Sequence, residues 1–174
     1  MLQFRKAEEK DIERIWQIYL ENHIEEEAGK AVIGWNRNIY PTKATAEAAL
    51  FRGDLFVLED ESGVMGTAVI NQEQMDVYPL GNWQYDATDK EIMVLHTLVI
   101  STKASRKGYA KQFVAFYEEY AKEHGCSYLR MDTNERNVRA RAMYKKLGYK
   151  EIGIVPCVFH SMTGINMVLL EKKV

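Results

Sequence analysis

The chain has 174 residues, 47% of them hydrophobic and 28% charged, the balance of an ordinary globular protein with a core of useful size. A formal charge of −2 and a pI near 6.1 give no footing for a nucleic acid or an anionic membrane surface, and no apolar run reaches the roughly 18 residues that span a bilayer. Cys126 and Cys157 lie in apolar stretches and read as reduced buried thiols, and Met1–Lys6 is too short and polar for a signal peptide. The expectation is therefore a soluble, cytoplasmic protein.

No repeat, low-complexity tract or linker interrupts the sequence, so one domain over 1–174 is expected. Residues 2–6 read as a short opening strand. Asp11 caps or acidifies a helix whose Ile12, Ile15, Ile18 and Tyr19 recur at helical spacing and which fades through Glu25–Glu27 to Gly29. An aromatic loop, Ile33 to Pro41, leads to a second short helix from Thr42 to Phe51. Leu55–Leu58 and Val64–Ile70 form a hairpin about the turn Asp60–Gly63. Residues 72–90 are irregular and polar, and a connection that long is functional or mobile.

The most apolar segment, Ile92–Ile100, suits a central strand covered on both faces. A helix from about Lys107 to His124 carries Ala110, Phe113, Val114, Tyr117 and Ala121 on one side, with Gly125 as its stop signal. A strand at 126–132, a helix from Asn137 to Leu147-Gly148 and late strands at about 149–155 and 165–171 complete the chain. Residues 92–132 make a parallel crossover between antiparallel hairpins. The class is α/β, with a mixed, mostly antiparallel sheet flanked by helices.

Between the central strand and its following helix lies Ser105-Arg106-Lys107-Gly108-Tyr109-Ala110. A glycine and an alanine two apart, beside two cations, leave a helix N-terminus without bulk. Its first NH groups have no internal partner and its dipole is positive there, which suits a diphosphate. Alone, this signal is weak. Downstream, Asn137-x-x-Ala140-x-x-Met143-Tyr144-Lys145-Lys146-Leu147-Gly148-Tyr149 follows at a fitting distance.

Together, the strand ending Leu98-Val99-Ile100, the Gly108-x-Ala110 turn, the long helix closing at Gly125 and the Asn137-to-Tyr149 segment resemble the GNAT superfamily of acyl-CoA-dependent N-acetyltransferases. The match runs from Val94 to Tyr149; the first half of the chain resembles the family in element order only. Ser105 stands where that family has Gln or Arg, with Arg106 one place later. The resemblance implies acetyl-CoA as co-substrate and no metal. It lays the pantetheine arm along Leu98, Val99 and Ile100, and the diphosphate on the NH groups of Arg106, Lys107, Gly108, Tyr109, Ala110 and Lys111. Asn137, Ala140 and Tyr144 would share one helix face toward the coenzyme, because seven residues bring a helix nearly back into eclipse.

In the implied reaction an amine attacks the thioester carbonyl. An alkyl ammonium costs about 4–5 kcal/mol to deprotonate at pH 7, so a base or a water path is needed. His96, in the central strand, is the candidate base, on the same strand face as Leu98 unless a bulge intervenes. Other family members carry a glutamate where this chain has Val94, and Glu91 is an alternative acting through water. Tyr144 would donate to the leaving thiolate, and main-chain NH near Leu98 would meet the oxyanion.

Trp35, Tyr40, Tyr78, Trp83 and Tyr85, with Glu73, Asp76, Asp86 and Asp89, either wall an amine pocket or form a mixed surface. The acceptor is a small-molecule or peptide amine of unspecified kind. The family also implies dimerisation through the late strands or the 72–90 loop. A rival from another class is a catalytically silent acyl-CoA-binding regulatory module.

Overall fold

The computed structural model describes residues 1–174. Seven strands form one mixed sheet in the order β1-β2-β3-β4-β5-β7-β6, with β1 Gln3–Lys6, β2 Leu55–Asp60, β3 Gly63–Asn71, β4 Ile92–Ile100, β5 Tyr128–Asn134, β6 Lys150–Phe159 and β7 Met162–Lys173. Four helices accompany them: α1 Ile12–Glu27, α2 Lys43–Arg52, α3 Tyr109–Glu123 and α4 Val138–Lys146. The pair β4–β5 is parallel, in register from Ile92↔Tyr128 to Leu95↔Met131, as the crossover expectation requires. The pairs β1–β2, β2–β3, β5–β7 and β6–β7 are antiparallel. No helix is long and apolar enough to cross a membrane.

The chain resolves into two compact units, residues 1–31, 35–70 and 96–116 in the first, and 32–34, 71–95 and 117–174 in the second. In the first, the run Leu55-Phe56-Val57-Leu58 is covered on both faces, which is why it shows no polar alternation. Leu55 and Val57 belong to a cluster with Ile12, Ile15, Ile18 and Tyr19 of α1 and Ala46 and Ala49 of α2. Phe56 instead packs on Phe116 of α3, with Phe4 stacked on Phe116 at 4.9 Å and edge-on to Phe113 at 5.4 Å. Asp11 does not cap α1. It is buried and grips Arg5 through two hydrogen bonds of 2.7 and 3.0 Å, while accepting from the Glu8 NH.

In the second unit, Tyr78, Ile92, Val94, Val155, Met167 and Leu169 form one apolar cluster. The β6–β7 hairpin is longer than the sequence suggests. Its turn is His160-Ser161, with φ of +46° and +67°, the left-handed pair of a two-residue hairpin that Asn-Gly usually supplies. Pro156 is tolerated because β6 is the sheet's outer strand. The 72–90 segment is not loose: it holds two short 3-10 turns, Tyr78–Leu80 and Asp89–Glu91, and Tyr78 is fully enclosed.

Candidate active site

The residues singled out by sequence fall in both units and are taken unit by unit. In the first, β4 carries a backbone distortion at Thr97, whose φ is +50°. A β-branched residue in the left-handed region is strained by about 1–3 kcal/mol, and such strain persists only where neighbours enforce it. Here the Tyr40 and Thr97 hydroxyls hydrogen-bond to each other. The distortion breaks the two-residue alternation of the strand, so the inference that His96 and Leu98 share a face does not hold. His96, Leu98 and Ile100 are half-buried and Val99 is buried.

The strand's end is fastened to α1. Asn22 donates through Nδ2 to the Ile100 carbonyl at 3.0 Å, so that carbonyl is already engaged by the protein. Glu21 accepts from Ser101 Oγ at 2.6 Å and Thr102 N at 3.0 Å on one oxygen, and from Arg14 at 2.8 Å on the other. Burial would raise the Glu21 pKa, but these bonds, Ser101 and Arg14 first, hold it below the ordinary carboxylate value.

Past this clamp, the turn into α3 has left-handed residues at Arg106, φ +67°, and Gly108, φ +75°. A β-carbon built on Gly108 meets nothing within 4 Å, so glycine serves the backbone conformation and leaves open space above the turn. The turn's groups divide. Lys107 donates its NH to the Ala104 carbonyl at 3.3 Å, and its ammonium pairs with Asp60 at 3.2 Å. The Tyr109 hydroxyl donates to the same Asp60 at 2.7 Å. Lys107 is thus spent within the chain, while Arg106 and Lys111 are exposed at the helix entry. A diphosphate fits what remains: a bare glycine, a helix start and two exposed cations.

In the second unit, Asn137 is the N-cap of α4 rather than its first turn: its φ and ψ are −79° and 65°, and its Oδ1 accepts from Ala140 N at 3.2 Å. The helical-spacing argument linking Asn137 to Tyr144 therefore applies only from Val138 onward. The cap uses the acceptor end of the amide and makes no call on the donor end. Ala140 is half-buried. Tyr144 is buried, its ring edge-on to Tyr149 at 5.9 Å. Burial first, then the Asp132 charge, push its phenol well above the usual value.

Glu91 is exposed, and its carboxylate closes a capping box by accepting from Thr88 N at 3.0 Å and Thr88 Oγ1 at 2.8 Å. Those bonds hold its pKa down, which makes it a poor proton acceptor. The aromatic residues of 72–90 are packing rather than a wall. Trp83 donates to the Tyr78 carbonyl at 2.6 Å and lies under Arg130 at 4.0 Å, and Tyr85 packs on Tyr128. Glu73, Asp76, Asp86 and Asp89 are exposed.

The sequence model described as the Acetyltransferase (GNAT) family matches residues 12–149. The chain belongs to that family. The GNAT match takes in α1 and the first hairpin, where the sequence resemblance was one of element order only. Two relatives align over parts of the chain. The aminoglycoside N(6')-acetyltransferase type 1 of Serratia marcescens is 32% identical over 60 residues, 34% of this chain and 41% of that protein. The uncharacterized N-acetyltransferase YhfO of Bacillus subtilis (strain 168) is 28% identical over 94 residues, 54% and 63% respectively. The alignment thus spans less than two thirds of either relative. A crystal structure of a GNAT family acetyltransferase from Streptococcus agalactiae 2603 superposes with a TM-score of 0.83, at 23% identity over 99% of this chain and 95% of that one, a likeness of fold.

Sequence reasoning on this GNAT chain missed Asp132. It sits on β5, half-buried, and accepts a hydrogen bond from the Tyr78 hydroxyl at 2.8 Å. Burial pushes its carboxyl up to about 6, against the lowering effect of Tyr78. The signal available was a carboxylate directly after the buried Met131, in the strand that pairs with the apolar β4. The folded pKa lies above the unfolded one, so the associated stability is present below about pH 4 and is lost as pH rises through about 6. A rise of that size amounts to at most about 3 kcal/mol, less to the extent that the residue keeps solvent contact. Asp132→Asn should therefore raise the melting temperature relative to wild type more at pH 8 than at pH 5, as differential scanning fluorimetry across that range would read.

Proposed function

We propose that the chain transfers an acetyl group from acetyl-CoA to a primary amine by direct attack, with Tyr144 assisting the leaving thiolate. The observation that carries this reading is the turn into α3, where Gly108 adopts φ +75° with open space over its α-carbon beside the exposed Arg106 and Lys111. The free NH groups and positive dipole of a fifteen-residue helix complement a diphosphate. The pantetheine arm would follow Leu98 and Val99. Main-chain NH beside the strained Thr97 would meet the developing oxyanion, since donors fixed before the reaction need no reorganisation during it. The acceptor class supported by the family is an amine, and the two partial relatives are both N-acetyltransferases by name.

Gly108→Val provides the test. A β-branched residue forced left-handed costs about 1–2 kcal/mol, and its methyls enter the space above the turn. Titration calorimetry should show acetyl-CoA bound about tenfold or more weakly than by wild type. Thiol release with a panel of alkyl amines should follow binding. Undiminished affinity in the variant would remove the turn from coenzyme binding. Wild-type binding without thiol release on any amine would instead mark a silent acyl-CoA-binding module.

A further inference from the structure

We propose that Asp132 is the catalytic base of this reaction, its carboxylate set by the Tyr78 hydroxyl at 2.8 Å so that the other oxygen takes the proton of the incoming amine. The inference rests on the transferase reading above. Asp132 lies in one unit with three other proton-bearing groups, Tyr78 from the 72–90 segment, Tyr144 from α4 and Cys157 from β6, and its charge acts on all three. It is paired with no cation: burial raises its pKa and the Tyr78 bond lowers it. Arg130, two residues earlier on the same strand, gives its guanidinium to the Trp83 face and to Gln74 Oε1 at 2.6 Å. Two further phenols stand close to this group and are engaged elsewhere: Tyr117 donates to the Met93 carbonyl at 2.6 Å, and Tyr149, edge-on to Tyr144, donates to Glu118 at 3.0 Å. Glu171 accepts from the Gln84 NH at 2.7 Å.

A structural carboxylate in a protein interior is ordinarily matched by a cation or several NH donors, because leaving it otherwise is costly. Asp132 has one neutral donor and retains some solvent contact, an arrangement suited to gaining and losing a proton. Its pKa of about 6 keeps it deprotonated at pH 7 yet far more basic than an exposed carboxylate, the range in which a general base is effective. Glu91 is held in the opposite sense by its capping bonds.

The step balances as follows. The ammonium gives one proton to the Asp132 oxygen, which later releases it to solvent. The nitrogen lone pair forms the C–N bond, and the C–S bond breaks with its electron pair going to sulfur. The second nitrogen proton neutralises the thiolate, which the Tyr144 hydroxyl stabilises by donating to it.

The experiment compares wild type, Asp132→Asn, Tyr78→Phe and His96→Gln in acetyl-CoA binding and in pH profiles of kcat/KM, with alkyl amines and with aryl amines already neutral at pH 7. Asp132→Asn should bind acetyl-CoA as wild type does, lose about 10²–10³-fold in kcat/KM for alkyl amines at pH 7, lose much less for aryl amines, and lack the acidic limb near pH 6. Tyr78→Phe should keep the limb and move it upward, because the hydrogen bond it deletes favours the carboxylate; a merely structural tyrosine would not displace it. A limb that survives in Asp132→Asn and vanishes in His96→Gln overturns the assignment while leaving the transferase intact. Absence of thiol release by wild type overturns both readings together.

Discussion

Tyr144→Phe should lower turnover by about 30–150-fold while leaving acetyl-CoA affinity unchanged. The phenol is buried, and burial first, then the nearby Asp132 charge, raise its pKa well above the ordinary phenol value, so it is protonated near neutral pH. In the proposed mechanism it would therefore serve as a hydrogen-bond donor rather than as a source of a fully transferred proton. A thiol is in any case the stronger acid of the two at reference values. A thioester sulfur accepts hydrogen bonds weakly and a thiolate accepts them well, so the bond matures only as C–S cleavage proceeds. Interactions of that kind appear in kcat and not in ground-state binding. One charge-assisted hydrogen bond is worth about 2–3 kcal/mol, which sets the fold-change above. No hydrogen bond within the chain competes for the hydroxyl, and phenylalanine keeps the edge-on packing against Tyr149. Steady-state kinetics beside calorimetry decide the matter; wild-type turnover in the variant would take Tyr144 out of the chemistry.

Much of this architecture was written in local pattern. The run Leu55–Leu58 and the apolar Ile92–Ile100 announced covered strands, Ile12, Ile15, Ile18 and Tyr19 announced one helix face, and Gly125 announced a helix end; each depends on neighbours a few residues away. The element order and the GNAT segment from Val94 to Tyr149 were legible for the same reason. What escaped depends on partners distant in sequence. Thr97 is an unremarkable strand residue until Tyr40, 57 residues away, holds it left-handed. Asp132 looked like the polar end of a strand until Tyr78, 54 residues away, bonded to it. Asn137 shows the remaining kind of error: the motif was recognised, but a cap residue lies outside the helical geometry that the spacing argument assumed. His160-Ser161 lacks the glycine or asparagine that usually marks a two-residue hairpin turn, so the hairpin of β6 and β7 was read too short.

Glu21→Ala should destabilise the protein by about 2–3 kcal/mol, although Glu21 belongs to no motif. Its carboxylate receives Ser101 Oγ, Thr102 N and Arg14, and Arg14 itself reaches Ser101 Oγ at 3.0 Å and the Val64 carbonyl at 3.1 Å. Truncation takes the only carboxylate from a partly buried guanidinium, which keeps Ser101 Oγ and the Val64 carbonyl, and leaves a buried serine hydroxyl without its acceptor; losses of this sort are the expensive ones. In a chain of this length the melting temperature should fall by roughly 5–10 °C. The pH dependence has a definite sign. Its folded pKa is depressed, so this stabilisation is present above the unfolded value near 4.5 and is lost as pH falls through the folded one. The difference in melting temperature between wild type and variant should therefore shrink below pH 4.5, opposite in direction to the effect of Asp132. The loss should also reach coenzyme binding, because Ser101 and Thr102 open the stretch that sets the Arg106–Gly108 backbone, and a looser turn must be ordered before a diphosphate can bind. A variant that melts lower yet binds acetyl-CoA as tightly as wild type would confine Glu21 to stability. Weakened binding at temperatures well below the melt would show that α1, outside the recognised motifs, prepares the cradle.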